Sequence, residues 1–152
     1  RLDEASAAFL ADRYRRPRAR TALAPALRRH ASAGLDVSDG LVADLGHLCE
    51  VSGLAAVIES ALLPLSDAAR AALAADPLLA DLPLIGGDDY ELVVSVPPSA
   101  AAGFEADADA AGIAVSRIGT LMSGPAGGVT VLDPSGRPLV LAGRGWDHFR
   151  ES

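Results

Sequence analysis

Residues 35–41 read Leu-Asp-Val-Ser-Asp-Gly-Leu, and the rest of the chain is organised around this stretch. Residues 33–37 have the pattern of a strand end, and Leu41, Leu45 and Leu48 recur at helical spacing. The pattern therefore predicts two carboxylates and a hydroxyl at the point where a strand passes into a helix. Folds that alternate strands and helices bind anions at such junctions, because the first N–H groups of a helix have no partner within it.

Two interpretations of residues 36–41, called here the first acidic segment, stay open on spacing alone. In one, Asp36 and Asp39 hold a hard divalent cation that shares oxygens with a phosphate, and Gly40 lets the backbone approach the ligand closely. In the other, Ser38 or Asp39 only caps the helix, since Ser and Asp are common N-cap residues.

The second acidic segment, residues 86–92, reads Gly-Gly-Asp-Asp-Tyr-Glu-Leu. Its two glycines predict a tight turn, and the alternation of Leu92, Val94 and Val96 predicts a strand that begins beside two adjacent acids. These acids are a second candidate site. The alternative is a solvated acidic turn without a ligand.

Composition and charge exclude several classes of protein. The chain has 152 residues, which fits a single domain (1–152), and its low aromatic content of 4% favours helices packed closely on a sheet. A net charge of -7 opposes binding to nucleic acid or to a membrane surface, both of which need a positive face. Its 13 basic residues are all arginines, so a Walker A phosphate loop, which needs a lysine, is excluded. Cys49 is the only cysteine, and we see no signal peptide or membrane-spanning run, so we expect a cytoplasmic protein without disulfides.

Hydrophobic spacing and turn residues predict the order of helices and strands. Helices are expected over residues 3–14, 22–30, 41–52, 67–75 and 98–111. Strands are expected over residues 33–37, 54–59, 92–96, 115–119, 129–132 and 139–141, the last two joined by a turn at 133–136. The order strand, helix, strand occurs twice, which predicts two right-handed crossovers between parallel strands.

Three further features lie near the ends of the chain. The first helix carries Ala7, Leu10, Ala11 and Tyr14 on one face. After it come arginines that could contact the phosphates of a partner domain, among them Arg18 and Arg20. Trp146, the only tryptophan, lies in a Gly-rich tail and is either an anchor packed on the domain or an aromatic that stacks on a flat ligand.

Several segments, taken together and in order, resemble the C-terminal half of the thiamine-monophosphate kinase family. They are residues 36–41, 63–66, 86–92, 118–119 and 145–149. The wider superfamily includes aminoimidazole ribonucleotide synthetase and selenophosphate synthetase, which share a plan of two domains. The second acidic segment and the terminal Trp-Asp-His-Phe point to the kinase.

The resemblance implies an α+β fold, a mixed β-sheet with packed helices like the C-terminal domain of aminoimidazole ribonucleotide synthetase. It implies transfer of the γ-phosphoryl group of ATP to thiamine monophosphate, giving thiamine diphosphate, with several Mg²⁺ ions. By position, Asp36 and Asp39 match Mg²⁺ ligands, Ser38 an ATP contact, Asp88 a substrate contact and Trp146 the aromatic beside the substrate's rings. No catalytic nucleophile is implied, because such enzymes mainly position the two phosphates and neutralise their charge.

Two departures from the family accompany the resemblance. The family more often has Glu at the position of Asp88, so the reach to substrate is shorter here. The family's N-terminal domain, with most of the ATP site and the dimer interface, has no counterpart in these residues. We therefore expect the chain to be the substrate-side half of a homodimeric kinase and to be inactive alone. The alternatives are a non-catalytic module that binds phosphate or metal, and another ATP-dependent enzyme of the superfamily.

Overall fold

The fold combines six α-helices and five β-strands in the computed structural model, which describes residues 1–143. The helices are α1 (Glu4–Arg15), α2 (Ala24–His30), α3 (Leu41–Ser52), α4 (Asp67–Ala75), α5 (Leu82–Ile85) and α6 (Pro98–Ala110). The strands are β1 (Ala33–Asp36), β2 (Ala55–Glu59), β3 (Leu92–Ser95), β4 (Gly119–Met122) and β5 (Gly128–Leu132). None of these helices has the length and apolar composition needed to cross a membrane.

The strands form two sheets. β1 and β3 pair in antiparallel fashion, from Ala33 opposite Ser95 to Asp36 opposite Leu92. In the other sheet β2 is central, antiparallel to β4 and parallel to β5. The predicted α+β fold with a mixed sheet is therefore confirmed.

The two predicted crossovers are wrong. A strand, helix, strand order gives a parallel crossover only when both strands belong to one sheet. Here α3 leads from β1 in one sheet to β2 in the other, and α6 likewise leads from β3 to β4. β1 instead pairs with β3, which begins at Leu92, the last residue of the second acidic segment.

Two predicted strands also differ. The strand expected over 115–119 begins only at Gly119, because Ile113 and Val115 pack against a cluster of Leu23, Ala26, Phe104 and Ala108. The strand expected over 139–141 reduces to a bridge between Leu132 and Pro138, and proline has no N–H to extend a ladder. The turn before it is confirmed, since Gly136 N donates to Asp133 O at 2.8 Å.

The helix ends follow the sequence closely. The Asp3 carboxylate accepts from Ser6 N at 2.9 Å, and the Ser66 hydroxyl accepts from Ala69 N at 3.1 Å. Gly53 ends α3 in the left-handed conformation, at φ 66°. The apolar face of α1 does not enter a core. Within the described part of the chain no residue of this helix is buried, and the helix contacts α4.

The main core lies between α3 and the two sheets, and it fixes both sides of the strand-to-helix junction. Val37 is buried before the junction, and Leu41 and Val42 are buried after it. Their partners include Leu45, Cys49, Ala56, Ile58, Leu84, Val93 and Val131. The first acidic segment is therefore a polar loop whose two ends are anchored in the core.

Candidate functional site

The start of α3 is not capped by the residues that the sequence suggested. Gly40 is the N-cap residue, and no side chain of the described chain caps the helix there. Its φ of 120° lies where side chains are strained, and a Cβ would stand 2.8 Å from the Ile85 carbonyl oxygen. The interpretation of Ser38 or Asp39 as the cap of α3 is therefore wrong.

A carboxylate that sequence reasoning missed organises this loop. Asp44, only 6% exposed, turns back from α3, and its Oδ2 accepts from Ser38 N at 2.9 Å and from Asp39 N at 3.0 Å. The position of Asp44 in the sequence could have indicated this role, because it lies on the same helix face as the buried apolar residues of α3, where a charged side chain needs a partner. The N–H groups of Ser38 and Asp39 thus donate to the protein's own carboxylate. The phosphate expected at the first N–H groups of the helix, which starts at Leu41, stays a prediction.

The two acidic segments are joined through their backbones. Asp88 N donates to Ser38 O, Tyr90 N donates to Val37 O and Val37 N donates to Glu91 O, each at 2.8 Å. A Cβ on Gly87 would overlap the Ser38 carbonyl oxygen, so only glycine permits this approach. The structure thus brings Asp36, Ser38 and Asp39 beside the segment that holds Asp88.

The second acidic segment has an unusual backbone. Asp88 (φ 65°) and Tyr90 (φ 51°) are both left-handed, which is uncommon for an aromatic residue and is held here by the hydrogen bonds to the first segment. The Tyr90 hydroxyl donates to Asp88 Oδ1 at 3.2 Å, and that bond raises the pKa of Tyr90. Asp88 is exposed, so its carboxylate stays open to a ligand.

The surroundings of Asp89 raise the pKa of its carboxylate. Packed protein atoms desolvate its carboxylate, although part of the residue is exposed, and this desolvation raises its pKa. The charges of Glu91 and Asp88 act in the same direction, while Arg13 opposes them. Asp89 therefore takes up a proton more readily than an ordinary aspartate.

Glu91 ties the N-terminal part of the chain to the second acidic segment. Its carboxylate accepts from Arg13 Nη2 at 2.6 Å and from Arg20 Nε at 2.7 Å, and Arg20 Nη2 donates as well. Arg20, considered above for a phosphate contact, is thus paired within the chain, and its pKa is raised by that hydrogen bond. We call these three residues the Glu91 clamp.

Glu91→Gln is expected to lower the free energy of unfolding by about 1–2 kcal/mol, because it weakens the charge-assisted hydrogen bonds to two arginines that are only partly screened by solvent. Urea denaturation at low and high salt measures the effect, which should shrink at high salt. The matched control is Glu105→Gln, which breaks the more exposed pair with Arg117 and should cost less. Equal losses in the two variants would show that the Glu91 clamp is an ordinary surface pair.

Asp36 faces an open cleft of about 430 Å³. Its walls come from the segment after α1 and from both acidic segments: Pro17, Ala19, Arg20, Asp36, Tyr90 and Leu92. A second groove of about 400 Å³, between β3, α6 and β4, contains none of the predicted site residues. The cleft beside Asp36 is therefore the candidate ligand site.

Asp36, which lines this cleft, and Asp39, which follows it in the same segment, form a donor set that suits a cation shared with a ligand. Within residues 1–143 no three His, Cys, Asp or Glu side chains are grouped to hold a metal ion by themselves. Mg²⁺ usually takes only one or two carboxylates and completes its shell with phosphate oxygens and water. Asp36 and Asp39 fit that role, and the Ser38 hydroxyl lies 3.4 Å from Asp39 Oδ1. Trp146 lies outside the described residues.

Comparisons with known proteins place this geometry in context. Residues 3–132 match the model of the family described as AIR synthase related protein, C-terminal domain. The thiamine-monophosphate kinase of Caulobacter vibrioides is 41% identical over 139 residues, which is 90% of this chain and 39% of that protein. The crystal structure of thiamine-monophosphate kinase from Stenotrophomonas maltophilia K279a has a TM-score of 0.77 at 36% identity, covering 86% of this chain and 41% of that one.

A further solved structure contains ligands. It is AaThiL complexed with AMPPCP and TMP, with a TM-score of 0.75 at 31% identity over 97% of this chain and 43% of that one. The chain spans about two fifths of the length of the relatives it matches.

Proposed function

This chain belongs to the family of AIR synthase related proteins, C-terminal domain, and from that membership we propose that it forms the C-terminal part of a thiamine-monophosphate kinase. The reaction would pass the γ-phosphoryl group of ATP to thiamine monophosphate. One observation carries the proposal: the backbone bonds between Ser38 and Asp88 and between Val37 and Tyr90 bring the two acidic segments together beside one cleft. Relatives with the kinase name, and a neighbour bound to AMPPCP and TMP, support it.

The predicted site residues, of which only Asp36 lines the cleft among those described, have separate roles in this proposal. Asp36 and Asp39 would hold Mg²⁺, which when bound neutralises the charge of the phosphates. The Ser38 hydroxyl would contact ATP, and the exposed Asp88 carboxylate, oriented by the Tyr90 hydroxyl, would contact thiamine monophosphate. Trp146 would lie beside the substrate's rings. No side chain of this set acts as a covalent nucleophile, because the acceptor is itself a phosphate.

The proposal also requires groups that this chain does not supply. Asp36 and Asp39 offer too few oxygens for several octahedral Mg²⁺ ions, even with phosphates and waters. The remaining ligands and most of the ATP contacts would come from an N-terminal part such as the longer relatives possess. We call this chain together with that part the full-length protein, and we propose that it is a cytoplasmic homodimer.

We expect residues 1–152 alone to form no thiamine diphosphate above background. A chimera, in which this chain replaces the matching segment of the Caulobacter vibrioides relative, should form it with ATP and Mg²⁺. Chromatography of the thiamine esters measures the product, and the remainder of that relative without this chain is the control.

Two results would contradict the proposal. Mg²⁺-dependent turnover by residues 1–152 alone would mean that the chain holds a complete nucleotide site. A folded chimera that neither binds nor phosphorylates thiamine monophosphate would reject the kinase assignment and favour a non-catalytic module or another enzyme of the superfamily.

A further inference from the structure

Asp44 is the only buried charged residue in the described part of the chain, and the roles proposed above do not include it. Burying a carboxylate is costly unless hydrogen bonds compensate it. Asp44 meets that condition through two backbone N–H groups of consecutive residues, Ser38 and Asp39, which converge on one oxygen, Oδ2. A single side chain therefore determines the direction of two successive peptide groups.

The other face of the same loop is held as well. The carbonyl oxygen of Ser38 accepts from Asp88 N, while its N–H donates to Asp44. Ser38 is thus fixed from two sides, by the buried helix α3 and by the second acidic segment. On the helix side, Asp44 N also donates to Gly40 O at 2.9 Å, which fixes the loop where it enters α3.

We propose that Asp44 is a positioning residue: its buried carboxylate sets the backbone of Ser38 and Asp39, so that Asp39 and Asp36 present their oxygens to one cation. The inference rests on the proposed function. Asp44 acts through Asp39 and need not contact the ligand itself. Because both bonds go to one oxygen, an amide that supplies one carbonyl oxygen can replace the carboxylate.

This last point gives a test with two variants in the full-length protein. Asp44→Ala removes the acceptor, and it should raise the Mg²⁺ concentration for half-maximal turnover by about 10–100-fold, the usual loss when a group that orients a metal ligand is removed. Asp44→Asn keeps one acceptor oxygen and should largely restore the Mg²⁺ dependence. Asp109→Ala and Asp109→Asn, on the exposed face of α6, are the matched controls.

A second readout does not depend on activity. Amide hydrogen exchange of the peptide that covers residues 37–40 should accelerate in Asp44→Ala and remain slow in Asp44→Asn. Thermal unfolding of each variant shows whether the domain is folded. If Asp44→Ala does not fold, the test rests on Asp44→Asn. The inference then requires that Asp44→Asn keeps both the slow exchange of residues 37–40 and the Mg²⁺ dependence of the unchanged protein.

Three outcomes would overturn the inference. In the first, Asp44→Ala leaves both the exchange and the Mg²⁺ dependence unchanged. In the second, Asp44→Asn loses the Mg²⁺ dependence while the loop stays protected, which would make Asp44 a direct charge on the ligand. In the third, Asp44→Ala lowers turnover without any change in the Mg²⁺ dependence, which would make the role of Asp44 only structural. If the unchanged protein has no kinase activity, the proposed function fails. The role of Asp44 is then still tested by amide hydrogen exchange and by direct titration of the variants with Mg²⁺.

Discussion

Asp36→Ala and Asp39→Ala are each expected to lower the Mg²⁺-dependent turnover of the full-length protein by about 100-fold or more, with the fold intact. A metal ion contributes several kcal/mol of charge stabilisation during phosphoryl transfer, and 1.36 kcal/mol corresponds to a tenfold change in rate. The fold should survive because Asp36 is exposed and Asp39 is only half-buried. The loop backbone keeps its hydrogen bonds to Asp44 and to the second acidic segment in both variants.

The measurement is turnover as a function of Mg²⁺ concentration, with thermal unfolding of each variant. Asp109→Ala is the control for loss of an exposed carboxylate and should match the unchanged protein. If either site variant keeps full turnover at limiting Mg²⁺, that residue does not hold the cation. Partial recovery at high Mg²⁺ would support the assignment, because a weakened cation site can still be filled.

Gly87→Ala is expected to destabilise the protein by about 2–4 kcal/mol and to separate the two acidic segments. The added Cβ would overlap the Ser38 carbonyl oxygen, which is backbone and cannot move aside as a flexible side chain can. Overpacking of this kind costs about 1–3 kcal/mol, and weakening the bond from Asp88 N to Ser38 O adds about 1 kcal/mol. Chemical denaturation measures the loss.

Gly46→Ala is the matched control, and its expected effect has the opposite sign. Gly46 lies inside α3, and a Cβ there would meet the Gly127 carbonyl oxygen at 3.6 Å, an ordinary contact. Alanine inside a helix is about 0.5–1 kcal/mol more favourable than glycine, so this variant should be slightly more stable. If Gly87→Ala is as stable as Gly46→Ala, the close approach of the two segments does not limit the fold.

Sequence reasoning predicted well what depends on neighbouring residues. The observed bounds of α1, α3 and α4 lie within one residue of the expected ranges, because the caps Asp3, Gly53 and Ser66 act over a few neighbouring residues. Both acidic segments were identified from their composition, and the structure places them together.

What the sequence did not predict depends on partners far apart in the chain. The Glu91 clamp joins Arg20 to a residue 71 positions away, and no local pattern specifies that pairing. The pairing of β1 with β3 was missed for the same reason, since strand order in a sheet is decided by packing. Asp44 was missed because an acid in a helix is usually solvated, and only its burial shows that it faces the loop.

The link between the acidic segments consists of main-chain groups, from Asp88 N, Tyr90 N and the carbonyl oxygens of Ser38 and Val37. These bonds do not depend on the length of the side chains, although the close approach requires Gly87 and the left-handed conformation of Asp88 and Tyr90 restricts the residue type there. The side-chain length of the acid at position 88 can therefore change without loss of the hydrogen bonds between the two segments. Asp88→Glu would lengthen the side chain by one methylene group, and under the proposed function that change would alter the contact with thiamine monophosphate.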